Sequence, residues 1–292
     1  AIAMLMLLPE YIQFRLKIDF KLLKKMLLYG LPVMIGGLAG MINETFDRIA
    51  LRHLLECPDT ENDCNAYVMS NIGIYGACYK LSIIMSLFIQ AFKFAAEPFF
   101  FSKMKNAGAK QTYSNVMKVY FIFLLFIFLG VIAYMDILQY FVGEEYRSGL
   151  KVVPILLAAN LCLGVYYNLS IWYKVSDKTI YGAYISIIGA IVTLVLNYLL
   201  VPQFGYMGAA YTTLICYFLI MVICWAFGQK YYPVKYPLKR LFLYTMLAFG
   251  LFLLMNNNTI ANIPLKLFVN SILLLAFAAV AYWFELRKAL KR

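Results

Sequence analysis

Residues 29–55 read YGLPVMIGGLAGMINETFDRIALRHLL, and this stretch decides how the rest of the chain is interpreted. Its first two-thirds are apolar enough to cross a bilayer, since a span needs about 20 predominantly apolar residues. Its last third carries Asn43, Glu44, Asp47 and Arg48. A charged side chain at the centre of a spanning helix costs about 2.5–3.5 kcal/mol on insertion scales, so such groups usually pair or face a water-filled cavity. The stretch therefore predicts a membrane-spanning helix that carries a polar site.

Helical spacing arranges these four side chains as two pairs. Asn43 and Asp47 lie four residues apart on one face, and Glu44 and Arg48 have the same separation on a second face. One interpretation is an internal ion pair near the outer membrane boundary that holds the helix in register. The other is a substrate or ion path, which we favour because polar residues inside membranes more often mark such paths.

The composition is that of an integral membrane protein. Hydrophobic residues make up 64% of the chain and charged residues 14%, with 24 Tyr and 23 Phe, which is far from the composition of a soluble domain. The formal net charge of +12 comes from cations in short loops, and no nucleic-acid recognition motif accompanies them. We therefore expect membrane lipids, and no nucleic acid, among the partners.

Closely spaced apolar runs joined by short charged loops predict an all-α integral membrane protein, a polytopic helical bundle. A soluble fold would have to bury every one of these runs. About eight transmembrane helices are predicted, at approximately residues 29–51, 72–99, 119–141, 152–173, 181–201, 208–227, 241–255 and 265–284.

The spans divide the chain into three regions. Residues 1–28 hold an apolar segment too short to cross and a basic amphipathic loop; they lack an initiating Met and the pattern of a signal peptide. We therefore expect the chain to be the C-terminal portion of a longer transporter, beginning at the end of a preceding helix. Residues 29–229 hold six spans, and residues 230–292 hold two more and a basic tail.

The loops fall into two alternating sets that differ several-fold in positive charge. One set has only Arg52, Arg147, Lys151 and Lys266. By the positive-inside rule the other set is cytoplasmic, so we expect a cytoplasmic C-terminus and an acidic loop at residues 57–64 on the outside. The basic set comprises residues 15–25, 103–118, 174–178, 230–240 and 287–292.

Two further groups of charges lie within the second span. Lys80 is at a depth similar to that of Glu44 and Asp47 in the neighbouring antiparallel helix, so we expect it to pair with one of them. Such a cluster would be titratable and could bind a proton, Na+ or an anionic head group. Lys93 and Glu97 are four residues apart near the cytoplasmic end, where a snorkelling pair and a functional pair are both open.

Small and polar residues add constraints on packing. The glycines of the first span, together with its proline, allow either close helix packing or a hinge. For the lone asparagines of later spans we expect interhelical hydrogen bonds. The first group is Pro32, Gly36, Gly37 and Gly40, and the second is Asn160, Asn168 and Asn197.

The cysteines belong to two classes. Cys57 and Cys64 lie in one outer loop and can form a disulfide if that face is oxidising, whereas the other four lie within spans and are expected in the core. No metal-binding spacing is present, and the patterns of Walker A, nucleophile-elbow and zinc-protease motifs are absent. We expect no cofactor and no enzymatic activity.

Several motifs occur in an order similar to that of the polysaccharide-transport flippases, a family of the multidrug, oligosaccharidyl-lipid and polysaccharide exporter superfamily. No single motif is specific, and the resemblance covers nearly the whole chain. The motifs are Gly30-Leu31-Pro32, Asp47-Arg48, Tyr75, Tyr79-Lys80, Glu97-Pro98-Phe99-Phe100, Gly143-Glu144-Glu145-Tyr146, Lys178-Thr179, Asn197, Pro202, Gly205 and Gly208-Ala209-Ala210.

The resemblance implies the C-terminal lobe of a two-lobed flippase over residues 29–229, plus two extra helices. It implies flipping of an undecaprenyl-diphosphate-linked oligosaccharide, such as an O-antigen unit for lipopolysaccharide, across the cytoplasmic (inner) membrane by alternating access. The missing N-terminal lobe would supply the other half of the cavity, and a proton or Na+ would be the coupling ion. Arg48 and Lys80, with Asn43, are candidates for substrate binding, and Glu44 and Asp47 for ion coupling.

Other functions remain open. A drug/cation antiporter of the same superfamily would favour acidic and aromatic residues in its cavity. A membrane glycan polymerase or ligase would need a sizeable outer loop for its catalytic groups, whereas the longest outer loop here has about 20 residues. A third reading is that the chain is inert without the missing lobe.

Overall fold

The computed structural model describes residues 19–58, 63–106, 108–258, 260 and 262–286. Within these residues the secondary structure is helical and contains no strand. Eight of the helices are long and apolar enough to cross a membrane, so the prediction of an all-α polytopic bundle is confirmed. They are α1 (Phe20–Leu54), α2 (Cys64–Lys103), α3 (Ala109–Ala133), α4 (Val153–Leu169), α5 (Thr179–Phe204), α6 (Tyr206–Tyr231), α7 (Leu238–Asn256) and α8 (Ile263–Ala281).

Shorter helical segments flank α4. The α3–α4 connection contains the single turn Met135–Leu138, the 3-10 turn Gln139–Phe141 and the 3-10 segment Glu144–Val152, which runs directly into α4. The helix is interrupted by a turn at Ser170, after which the chain continues as the short helix Ile171–Val175. This short helix overlaps the end of the predicted fourth span, at residues 152–173, and the start of the basic loop at residues 174–178, and it carries a residue of the candidate site.

Side-chain caps begin the first two helices. The carboxylate of Asp19 accepts hydrogen bonds from two backbone amides of the first turn of α1, at 2.9 and 3.2 Å. Asp63 does the same for α2, at 3.0 and 3.1 Å. Each cap supplies acceptors for amides that have no partner inside the helix.

The helices pack as a bundle in which α1 contacts mainly α5, while α6 packs on both α4 and α5. α2 lies against α4, and α7 and α8 lie against α3. A large core of buried apolar residues runs through α2 to α8. A second, smaller core lies where the end of α1 meets the start of α2, α4 and α6 and the end of α5. The bundle therefore has a well-packed body, and α1 is attached to its edge.

α1 is buried only along a narrow stripe in its second half. The stripe has the spacing of one helical face, while the first half exposes apolar side chains such as Leu31 and Met34. Two of the buried side chains are polar, which places the polar site on the face that packs into the bundle. The buried residues are Ala39, Asn43, Asp47, Ala50 and Leu51.

α7 and α8 are bound to α3 by polar contacts as well as apolar ones. Glu285, buried just after α8, forms ion pairs with Lys118 of α3 and Arg240 of α7. Asn270 of α8 donates to the carbonyl of Ala133 at 3.1 Å. These contacts join both helices to the rest of the bundle, and the division of the chain at residue 230 stays a prediction.

The loop between α1 and α2 is closed by a disulfide. Cys57 and Cys64 are bonded, with Cα atoms 5.5 Å apart. The other four cysteines are free and buried in the helices, as expected. The predicted features at residues 1–18, 59–62 and 287–292 lie outside the described residues.

The turn between α5 and α6 requires glycine at two positions. Gly205 has φ 57° and ψ −135°, a combination that only glycine adopts readily. Three residues later, a Cβ atom on Gly208 would lie 2.3 Å from the backbone oxygen of Leu200. Because this clash at Gly208 is with backbone, rotating a side chain cannot relieve it.

We therefore expect Gly208→Ala to lower the free energy of unfolding by about 1–3 kcal/mol, the usual cost of overpacking. Gly250→Ala in α7 is the matched control, because a Cβ there would meet no atom within 4 Å, and it should be neutral or slightly stabilising. Thermal unfolding of the purified chain in detergent measures both. Equal melting temperatures for the two variants would contradict the tight α5–α6 contact.

Candidate functional site

The carboxylate of Asp47 joins four helices. Asp47 is 2% exposed, and its Oδ2 accepts hydrogen bonds from the hydroxyls of Tyr75 in α2 at 2.7 Å and Thr213 in α6 at 2.6 Å. Its Oδ1 accepts from Nδ2 of Asn197 in α5 at 3.0 Å. It forms no ion pair with Lys or Arg in the part of the chain that the structure describes. The carboxylate is thus held by neutral donors alone.

The surroundings of this carboxylate contain more acceptors than donors. The side-chain oxygens of Asn43, Thr193 and Asn197 are buried without a hydrogen-bond partner. The single hydroxyl proton of Thr213 has two acceptors within reach, Asp47 and the carbonyl one turn earlier on α6 at 3.0 Å. Buried polar groups are normally satisfied, so these oxygens are available to a bound water, to a proton on the carboxylate or to a cation.

A proton or a hard monovalent cation such as Na+ fits this set of groups. Hard cations take oxygen ligands, and the unpartnered groups here are amide and hydroxyl oxygens around one carboxylate. Among the described residues no group of three or more His, Cys, Asp or Glu side chains is placed to hold a metal ion. The single carboxylate with its neutral partners matches a single positive charge. The residues present therefore fit a candidate cation site, which we call the Asp47 site.

The predicted pairing of Lys80 with Glu44 or Asp47 is not formed. Lys80 is exposed and forms no ion pair among the described residues. The reason is angular: successive residues of a helix differ by about 100°, so the face of α2 that brings Tyr75 and Tyr79 to α1 turns Lys80 away. Similar depth of two charged residues in neighbouring helices therefore did not predict that they form an ion pair.

The predicted pairing of Glu44 with Arg48 is also absent from the described structure. Both residues are exposed, and the guanidinium of Arg48 lies over the ring of Tyr79, 5.2 Å from its centroid. A cation over an aromatic face is an alternative to an ion pair. Glu44 is thereby left facing a cavity.

The predicted pairing of Lys93 with Glu97 is not formed in the described structure. Glu97 forms an ion pair with Lys174 of the short helix Ile171–Val175. The ammonium of Lys93 lies 4.7 Å from the ring centroid of Tyr167 and has no ion-pair partner among the described residues. In the described structure the C-terminal part of α2 thus contributes an unpaired lysine, Lys93, and a carboxylate, Glu97, that pairs with a lysine of another helix.

These lysines line a cavity of about 300 Å³ between α1, α2, α4, α5 and α6. Lys93 and Lys174 lie at one end, which we call the lysine end, and Asn43 and Glu44 lie at the other. The cavity runs along α1 over thirteen residues, from Pro32 to Glu44, whose twelve steps of 1.5 Å give about 18 Å. Part of its wall is aromatic or hydroxylated, with Tyr166, Tyr167, Ser170, Tyr173, Thr179, Ser186 and Tyr217.

The glycines of α1 lie at its contact with α5 and along a cavity wall, and the expected hinge stays a prediction. A Cβ atom on Gly36 would be in ordinary van der Waals contact with Ser186 and Ala183 of α5, at 3.5–3.7 Å. Gly37 and Gly40 also line the cavity, and a Cβ there would meet nothing within 4 Å. Their missing side chains leave space in the cavity.

A small polar pocket of about 20 Å³ adjoins the Glu44 end, and that volume holds about one water molecule. Glu44, Gln90, Asn160 and Tyr217 are among its lining residues. Asn160 donates through Nδ2 to the carbonyl of Ser82 at 3.3 Å, which leaves its Oδ1 for the pocket. Polar lining therefore continues from the cavity into the bundle beyond Glu44.

Sequence reasoning identified some of these residues and missed others. Asn197 and Asn160 form the interhelical hydrogen bonds expected of them, whereas both amide atoms of Asn168 are buried without a partner. The sequence did not indicate that Thr213 belongs to the site, because threonines in membrane helices commonly donate hydrogen bonds to their own backbone. Lys174 lay in a predicted loop, and only the fold brings it back to α2.

We expect Thr213→Val to lower the free energy of unfolding by about 1–2 kcal/mol, because it removes a buried donor from a carboxylate. The control is Thr245→Val, since the Thr245 hydroxyl donates only to the carbonyl one turn earlier, at 2.9 Å; its loss should be within about 0.5 kcal/mol. Thermal unfolding in detergent compares the two. A Thr213 variant as stable as the control would show that its bond to Asp47 adds nothing.

No protein-family model, curated protein or solved structure matches the chain. Function is therefore argued from the geometry of the cavity and of the Asp47 site.

Proposed function

We propose that the chain is the C-terminal lobe of a flippase that moves an undecaprenyl-diphosphate-linked oligosaccharide across the cytoplasmic membrane, coupled to a cation. The observation that carries this proposal is the cavity within the bundle, with an unpaired lysine at one end and a carboxylate at the other. Charges within spans are costly and usually functional. A lipid-linked diphosphate carries the negative charge that would pair with Lys93. Its polar glycan suits the hydroxyl groups of the cavity wall.

The cavity changes which cations we assign to the diphosphate. Arg48 and Lys80 were the candidates from the sequence, but neither lines the cavity, whereas Lys93 and Lys174 do. The side chain of Lys174 is 15% exposed, so both ammonium groups are partly withdrawn from solvent. An anion that reached the lysine end would contact two cations in a medium of reduced dielectric, where charge attraction is stronger than in water.

The Asp47 site supports the coupling step. Asn43 belongs to both sites: it lines the cavity and lies one turn from Asp47, with its buried Oδ1 unpartnered. Binding of a proton or Na+ at Asp47 would change the bonds that join α1 to α2, α5 and α6. A helix that carries both the ion site and one wall of the cavity is suited to alternating access.

The exposed half of α1 supports a partner lobe. Its outward apolar side chains include Leu31, Met34, Leu38 and Met41, which are 46–66% exposed. Together with the open side of the cavity, they suit a second lobe of the same longer protein. In the proposed orientation the C-terminus is cytoplasmic, and the lysine end of the cavity faces the cytoplasm.

We expect Lys93→Ala in the full-length parent protein to reduce flipping at least about 10-fold, since a contact to a charged group contributes about 1.5–3 kcal/mol. The measurement is surface glycan in a strain that depends on the protein, with membrane expression quantified for each variant.

Lys80→Ala is the matched control, because it removes an exposed lysine from the same helix and should leave glycan at the wild-type level. Glycan lost only with the Lys80 variant would restore the original assignment. Glycan retained in both would reject the role of the cavity.

Asp47→Asn keeps the shape of the side chain and removes its charge, so we expect transport to lose its dependence on the ion gradient. Flipping into vesicles under a Na+ gradient and under a pH gradient, applied separately, identifies the ion. Asp177→Asn, at an exposed loop position, is the control and should respond as the wild type does. Gradient-driven transport that persists in the Asp47 variant would exclude the Asp47 site from coupling.

A second candidate is a drug/cation antiporter. It is favoured by Glu44 at one end of the cavity and by the tyrosines of its wall, because aromatic rings and a carboxylate attract organic cations. Efflux of a cationic dye that depends on Glu44, in cells whose surface glycan is unaffected by Lys93→Ala, would support it over the flippase.

A further inference from the structure

A carboxylate beside the lysine end of the cavity has no role in the proposed function. Glu97 reaches Lys174 from α2, although it does not itself line the cavity. Its side chain is 35% exposed, against 15% for Lys174. The pair therefore has a cation on the cavity side and an anion on the more solvated side.

An empty cavity needs this counter-charge. A withdrawn ammonium without a partner is costly, and Glu97 offsets the charge of Lys174 whenever no ligand is present. Lys93, one turn earlier on α2, lies over the Tyr167 ring and has no ion-pair partner in the part of the chain that the structure describes. The side chains of Lys93, Lys174 and Glu97 together carry a net charge of plus one.

The ion pair is also one that can be exchanged. Glu97 is more exposed than Lys174, so the carboxylate is the member of the pair that a ligand can replace. Pro98 follows Glu97 inside α2, and a proline within a helix removes one backbone hydrogen bond. Glu97 therefore lies where α2 is least constrained by its own backbone.

We propose, on the basis of the proposed function, that Glu97 is a specificity-determining residue that sets the charge a ligand must carry to occupy the lysine end. A singly charged phosphodiester balances Lys93 but cannot compete with Glu97 for Lys174. A diphosphate carries enough charge to hold both lysines and displaces Glu97 into solvent. With Glu97 in place, a singly charged phospholipid is held by Lys93 alone, whereas a diphosphate-linked lipid is held by both lysines.

Binding of two soluble probes to the purified full-length parent protein in detergent tests this inference. Inorganic pyrophosphate represents the diphosphate, and dimethyl phosphate represents a singly charged phosphodiester; calorimetry gives both affinities. We expect the wild type to prefer pyrophosphate by at least about 10-fold, a difference of about 1.4 kcal/mol. Glu97→Gln should tighten dimethyl phosphate binding about 5-fold or more, because both lysines are then open to a single charge, and it should tighten pyrophosphate binding as well.

Two further variants complete the design. Lys174→Gln should weaken pyrophosphate binding about 10-fold and leave dimethyl phosphate binding nearly unchanged. Glu145→Gln, which removes an exposed acid far along the chain from the cavity, makes the same change in net charge and should reproduce the wild-type preference. If Glu97→Gln folds poorly, Glu97→Asp retains the charge and should retain the preference.

The outcomes separate this inference from the proposed function. A wild type that shows no preference for pyrophosphate contradicts the diphosphate site itself. A wild type with the preference, together with a Glu97→Gln variant that behaves like Glu145→Gln, overturns only the role of Glu97. Loss of the preference in Glu97→Asp would likewise show that the charge of this side chain is not what discriminates.

Discussion

A carboxylate buried inside a membrane bundle must be satisfied by its neighbours, and in this protein that constraint falls on Asp47. Its oxygens are held by Tyr75, Asn197 and Thr213, one from each of α2, α5 and α6. α1 packs mainly on α5, and the bonds of Asp47 also connect it to α2 and α6. Unpartnered oxygens remain one turn away from the carboxylate and on its partner Asn197, which is the basis for proposing that this attachment responds to a proton or a bound cation.

The position of α1 in turn defines the cavity. The helix approaches α5 closely at Gly36, while Gly37 and Gly40 leave space beside α4 and the short helix Ile171–Val175. A substrate in that space and an ion at Asp47 would therefore act on the same helix. This physical link between the two sites supports the proposal of coupled transport.

The sequence predicted the spans well and the side-chain contacts poorly. Spans follow from hydropathy because every backbone amide in a bilayer must be bonded within its own helix. Contacts depend on rotation about the helix axis, which uniformly apolar spans do not reveal. Lys80 of α2 and Asp47 of α1 were expected at similar depth, but Lys80 lies on a face of α2 that is turned away from α1. Lys174 was assigned to a loop, and no pattern in the sequence indicated that it returns to Glu97.

The two lysines of α2 that drew attention in the sequence, Lys80 and Lys93, show why depth alone does not identify a functional charge. Lys80 is exposed on the surface of the bundle, where its ammonium can reach the lipid head groups or a partner lobe without a dedicated counter-ion. Lys93 lies beside an aromatic ring on a cavity wall, where no carboxylate of the described structure neutralises it. Its neighbour Lys174 has such a carboxylate in Glu97. Of the two lysines, only Lys174 is thus paired in the described structure, and this difference is the basis for proposing a ligand with more than one negative charge.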